Sequence, residues 1–147
     1  MKPAIPAYVI CPYTHPDPQV MEKRGLLAER LTAYAMEALD AEGITIAPFS
    51  PVAQYPRIGQ YLPAELGKDH AYWMNLCKAQ FFLHRLFILL PLDGWEISSG
   101  VGQELYWMTK IGGAELYVLR NTPADVDEFE LGQIHTRRFE GLPWRYL

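Results

Sequence analysis

No apolar run in this chain approaches the length needed to cross a bilayer; the most apolar stretch, Leu86 to Leu90, is closed by Pro91 and Asp93. No apolar signal region precedes the first strand pattern at Ala7, so a cytoplasmic protein is expected rather than a secreted or membrane one. Positive charge is scarce, with 13 Lys and Arg against 17 Asp and Glu for a net charge of −4. That balance leaves no footprint for the phosphate backbone, and a nucleic-acid partner is excluded. Cysteine is rare too: Cys11 and Cys77 form no CxxC motif and read as free thiols. The histidines, at positions 15, 70, 84 and 135, lack metal-ligand spacing, so no structural metal is expected. What the chain does have is apolar residues, half of its 147, enough for one domain over 1–147 with a sizeable core.

Ala7 to Cys11 is a short apolar run closed by Pro12 and reads as a buried strand. Asp17-Pro18 is a helix start, a capping side chain followed by Pro at the first helical position. Leu27, Leu31, Ala35 and Ala38 recur at helical spacing until Gly43. Ile44 to Ala47 reads as a second strand ended by Pro48. Pro51, Pro56, Gly59, Pro63 and Gly67 then punctuate a segment that reads as a long loop. A helix is expected from about Lys68 to Phe82, and Leu86 to Leu90 suits the centre of a parallel sheet. After a loop from Leu92 to Ser99, a helix carrying Val101, Leu105 and Met108 on one face stops near Gly112-Gly113. Glu115 to Leu119 reads as the fourth strand. In the tail, residues 120–147, Thr122-Pro123 resembles another helix start and Asp125 to Glu130 a solvated acidic face. The aromatic stretch Phe139 to Leu147 packs on the body or on a partner chain. Strand and helix alternate, which argues for an α/β fold: a single-domain, Rossmann-like (flavodoxin-like) parallel-sheet sandwich. In such sheets ligands bind outside the C-terminal ends of the strands.

Ser98-Ser99-Gly100-Val101-Gly102-Gln103-Glu104 lies at such an end. A strand followed by Ser and Gly at a helix start makes an anion cradle, because the first amides of a helix lack intrahelical partners. Glu104 adds a carboxylate one turn further in. The run lacks the lysine of a P-loop and the third glycine of a dinucleotide fingerprint. Each residue also has a plainer reading. Glu104 suits the positive end of a helix dipole, and Ser98 is a favoured N-cap. Tyr8, Tyr13 and Trp95 suit aromatic packing, His15 a solvated loop, and Cys77, Trp73 and Phe81 an apolar helix face.

Three segments together resemble a known family. Tyr8-Val9-Ile10-Cys11-Pro12-Tyr13-Thr14-His15-Pro16-Asp17 is similar to the opening Y-L-A-S-P-Y-S-H-P-D of a small bacterial and phage family within the nucleoside 2-deoxyribosyltransferase-like superfamily. Phe49-Ser50-Pro51-Val52 resembles its F-S-P-I, and Leu92 to Val101 its L-x-G-W-x-x-S-x-G-V. Ser98 to Glu104 also resembles the S-x-G-V-G-x-E of deoxynucleoside 5′-monophosphate N-hydrolases. The resemblance covers about residues 7–119.

It implies cleavage of the N-glycosidic bond of a nucleotide, with Glu104 attacking the anomeric carbon, Tyr8 as its partner and no metal or organic cofactor. Ser98, with Ser99, Gly100 and Gly102, would hold the 5′-phosphate. Tyr13, Trp95 and His15 would contact base or phosphate. One departure stands out: the aspartate the superfamily places on the preceding helix is Cys77 here, and a second, just before the central strand, is Arg85. Asp93 is the first substitute for the missing acid. The expected partner is a small nucleotide or nucleoside, and the expected assembly a homodimer or larger. Base exchange by a 2-deoxyribosyltransferase, or a nucleotide-binding domain without turnover, are the alternatives.

Overall fold

The structure, a computed structural model, describes residues 2–123 and 131–147. Five strands, β1 (Ile5–Ile10), β2 (Ile46–Phe49), β3 (Leu86–Leu89), β4 (Glu115–Val118) and β5 (Trp144–Tyr146), form one sheet in the order β2-β1-β3-β4-β5. Every pairing is parallel. This is the flavodoxin-like order, with its switch point between β1 and β3. The expected fold class is observed.

The apolar run of β3 puts it at the centre, all four residues buried. β1 alternates: Ala7 and Val9, with Cys11 just past its end, join one core, while Tyr8 and Ile10 join the other. Helix α1 (Pro18–Ala41) covers the first face through Ala28, Leu31, Ala35 and Leu39. Its Asp17 cap accepts from the Gln19 amide, and Gly43 beyond its end takes φ +82°, as the cap and stop signals indicate. Along the chain, α2 (Pro51–Gly59) and α3 (Ala64–Gly67) follow β2. Helices α4 (His70–Phe81) and α5 (Ser99–Met108) cover the other face through Cys77, Phe81, Val101, Leu105 and Met108.

Four expectations need correction. First, α2 and α3 occupy the segment that reads as a long loop. The Ser50 hydroxyl caps α2 at the Ala53 amide and Pro51 opens it, a repeat of the Asp17-Pro18 device. Second, β2 runs through Pro48 instead of stopping there, because β2 is an edge strand. Third, the loop between β3 and α5 contains a 3₁₀ turn at Trp95–Ile97. Fourth, the tail adds a strand that no periodicity signals. It packs back on its own chain: β5 pairs with β4, and Phe139 is buried between Trp95 and Trp144. The expected helix after Thr122-Pro123 and the acidic face at Asp125 to Glu130 fall on residues 124–130, outside the described residues. Among the described residues no helix is long and apolar enough to cross a membrane.

Candidate active site

Tyr8 is fully buried at the heart of the α4/α5 face. Its ring lies edge-on to Phe81 at 4.8 Å and to His84 at 5.6 Å, with Phe49 at 5.8 Å and Phe87 at 6.1 Å. This packing fixes where its hydroxyl points. The hydroxyl lies within electrostatic reach of the Glu104 carboxyl and the Cys77 thiol, yet it makes no hydrogen bond of normal geometry. An unsatisfied buried hydroxyl is costly, and among the described residues Tyr8 shares that condition with Thr32 Oγ1. Burial, and then the nearby Glu104, push the phenol well above its ordinary pKa.

Glu104 sits in the second turn of α5, buried on the sheet side. Burial pushes its carboxyl up from 4.5 to about 8, and the Tyr8 hydroxyl pulls the other way. The helix-dipole reading allows a Glu in the first or second turn, and Glu104 is in the second; what that reading does not account for is its burial. Cys77, from α4, completes the cluster. Burial and the Glu104 charge push its thiol up to about 11, so it is no activated nucleophile. Cys11 is raised as well, chiefly by burial.

Tyr55 carries no signal in the sequence pattern because it lies in the segment that reads as a loop. It stands on α2 with its ring 5.2 Å from Trp73 and 5.8 Å from Phe49, and Cys77 is among the groups that raise its pKa, after partial burial. The Ser50-Pro51 signature is the signal that places α2, and with it Tyr55, beside the site. His84 is a second residue that sequence reasoning does not single out; it is buried, stacks on Phe49 and bonds through Nδ1 to the Gln80 carbonyl.

Of the residues singled out in the sequence, Glu104 and Tyr8 are brought together. Ser98 caps the same helix: its hydroxyl accepts from the Val101 amide at 3.3 Å. Ser99 and Gly100 form the first turn, and a Cβ on Gly100 would meet only ordinary contacts. A Cβ on Gly102 would lie 3.2 Å from Arg138 Nη2, which sets a guanidinium beside the start of α5. Asp93 is exposed in the turn after β3 and takes no part among the groups that perturb Glu104; its carbonyl is what the fold anchors, through Arg24.

Trp95 does not stand ready to stack on a base. It is fully buried, its indole parallel to Phe139 at 5.7 Å and its Nε1–H donating to the Gln133 carbonyl. Tyr13 is half-buried against the α1 core. His15 accepts the Asp17 amide at Nδ1, which ties it to the start of α1.

A cavity of about 470 Å³ opens between α4 and α5, lined by His70, Met74, Asn75, Lys78, Ser99 and Gln103 among others. Ser99 is on its wall and Glu104 is not, so the cavity meets the cradle without reaching the carboxyl. Among the described residues no group of three His, Cys, Asp or Glu side chains is placed to hold a metal ion. Comparison with models of known families and with curated proteins finds no match for this chain.

Proposed function

We propose that the protein hydrolyses the N-glycosidic bond of a nucleoside 5′-monophosphate. The observation that carries this reading is a buried carboxyl, Glu104, facing a buried and otherwise unpartnered hydroxyl, Tyr8, one turn below a Ser-Gly helix start at the switch-point end of the sheet. A buried carboxyl whose pKa is pushed far up, beside one specific polar partner, is the kind of group active sites are built on. Glu104 Oε bonds to the anomeric carbon as the carbon–nitrogen bond breaks, and the base leaves with that electron pair and takes a proton from solvent. Water then attacks the same carbon, gives up a proton and frees the carboxylate. The first-turn amides of α5 receive the phosphate, and that remote contact orients the sugar.

The nucleophile must be ionised, so kcat/KM rises with pH through about 8, the value to which burial pushes Glu104 in the free protein. The experiment is a panel of ribo- and deoxyribonucleoside 5′-monophosphates, modified pyrimidines included, with products separated by chromatography and mass. Free base released by the wild type and not by a folded Glu104→Ala variant supports the reading. Release that survives in that variant overturns it.

One observation favours a second reading, a nucleotide-binding domain without turnover. The groups that perturb Glu104 include no second carboxyl, and the position expected to supply one holds the unreactive Cys77. Tight nucleotide binding with no product would select this reading.

A further inference from the structure

Arg24 lies in the second turn of α1, on the opposite face of the sheet from Glu104, and it is buried. Its Nη1 donates to the Tyr13 carbonyl at 3.2 Å and to the Thr14 carbonyl at 3.1 Å. Its Nη2 donates to the Asp93 carbonyl at 2.9 Å. Two of these acceptors belong to the loop after β1 and one to the loop after β3, the two loops that flank the switch point. All three are neutral main-chain oxygens, and among the described residues no carboxylate forms a salt bridge with Arg24. Its hydrogen bonds to these carbonyls serve geometry, since the planar fork fixes both loops at once.

Gly94 supports the same conclusion from the other side. Its φ is +85°, and a Cβ there would stand 2.9 Å from Arg24 Nη2. A side chain at this position would be strained and would push the loop off the guanidinium. From Gly94 the chain passes through the Trp95–Ile97 turn directly into the Ser98 cap and α5. From Thr14 it passes through His15 into the α1 cap.

We propose that Arg24, with Gly94, is a positioning device that sets the separation of the β1 and β3 loops and thereby the placement of the α5 start over the site. Only its effect on turnover rests on the nucleotide reading; the coupling of the loops does not. Hydrogen exchange by mass spectrometry on Arg24→Gln, Arg24→Lys, Gly94→Ala and the Arg24→Gln/Gly94→Ala double variant tests the coupling. Exchange at residues 13–17 and 93–99 is expected to rise together, by roughly tenfold or more, while β3 stays protected. Gly94→Ala is expected to give the same pattern, the double variant to be no worse than the worse single one, and Lys not to restore either loop.

Loosening of one loop alone, additive effects, or rescue by Lys overturns the proposal. In the base-release assay kcat is expected to fall by up to about a hundredfold with KM less affected. Loosened loops with an unchanged kcat overturn the positioning role. A wild type without turnover on any nucleotide defeats the functional reading instead, and the exchange data still decide the coupling.

Discussion

Glu104→Gln should remove most of the pH dependence of stability contributed by the site. The Glu104 carboxyl moves from 4.5 to about 8 on folding because burial disfavours its charged form. Between those values the folded chain holds a proton that the unfolded chain has released. The stabilisation tied to this group is therefore complete below pH 4.5, is lost progressively as pH rises to about 8, and changes no further above that. Each tenfold change in proton affinity is worth about 1.4 kcal/mol, so the whole change is on the order of 5 kcal/mol. Gln has nearly the same shape and no charge to desolvate, so the variant escapes the loss. Near pH 5 the two proteins should be similarly stable. Near pH 9 the variant should be the more stable by several kcal/mol, roughly 10 °C in Tm for a chain of this size. Urea unfolding of both proteins at pH 5, 7 and 9 measures the difference, and taking it between variants cancels all other titrating groups. A constant difference across that range would refute the reasoning, because Glu104 would then ionise as freely folded as unfolded.

Tyr8→Phe removes the hydroxyl that pulls the Glu104 carboxyl down, so the midpoint of the same pH titration should move above 8; a downward move would contradict the contact. Ser98→Ala should cost about 1 kcal/mol of stability through the lost cap. It should also raise KM for a monophosphate more than for the matching nucleoside, and equal effects would remove the phosphate from the argument. Both thiols should resist an aromatic disulfide reagent at pH 8 until the protein is unfolded, because burial raises Cys11 and Cys77 alike; rapid labelling of either would contradict that. Gly132→Ala should destabilise by roughly 1–3 kcal/mol in a thermal melt, since the new Cβ would meet Trp95 Cδ1 at 2.7 Å; an unchanged Tm would show that the tail does not hold the indole.

The sheet and its main helices are legible in the sequence because their signals are local. An unbroken apolar run marks β3, and a cap with Pro marks α1. The place of Glu104 on the helix after β3 is legible from the strand–turn–helix pattern, whereas its burial beside Tyr8 is not. What stays hidden depends on partners far along the chain. Pro48 looks like a strand breaker until β2 is known to lie at an edge. α2 carries an interior Pro56, and the turn residues Pro63 and Gly67 follow closely, which masks its Ser50 cap. β5 is three residues long, too short for a period to show. Trp95 is legible as a packing aromatic, but what it packs on is not, because Gln133 and Phe139 arrive some forty positions later. Arg24 cannot be singled out because its acceptors are main-chain carbonyls, which leave no mark on residue type.

The interior position of β1 has a consequence for the order in which the chain can fold. Ala7 is paired with Leu86 and Ile10 with Leu89, so the strand that carries Tyr8 gains its second neighbour only after more than half of the chain exists. Until then β1 and β2 can pair along one edge, with Tyr8 and Ile10 uncovered and the other edge open. Synthesis from the N-terminus therefore leaves a sticky half-sheet waiting for its middle strand, a topology that folds slowly and exposes apolar surface in the interval. Tyr8, near the start of the chain, is sheltered only once Phe81, His84 and Phe87 arrive.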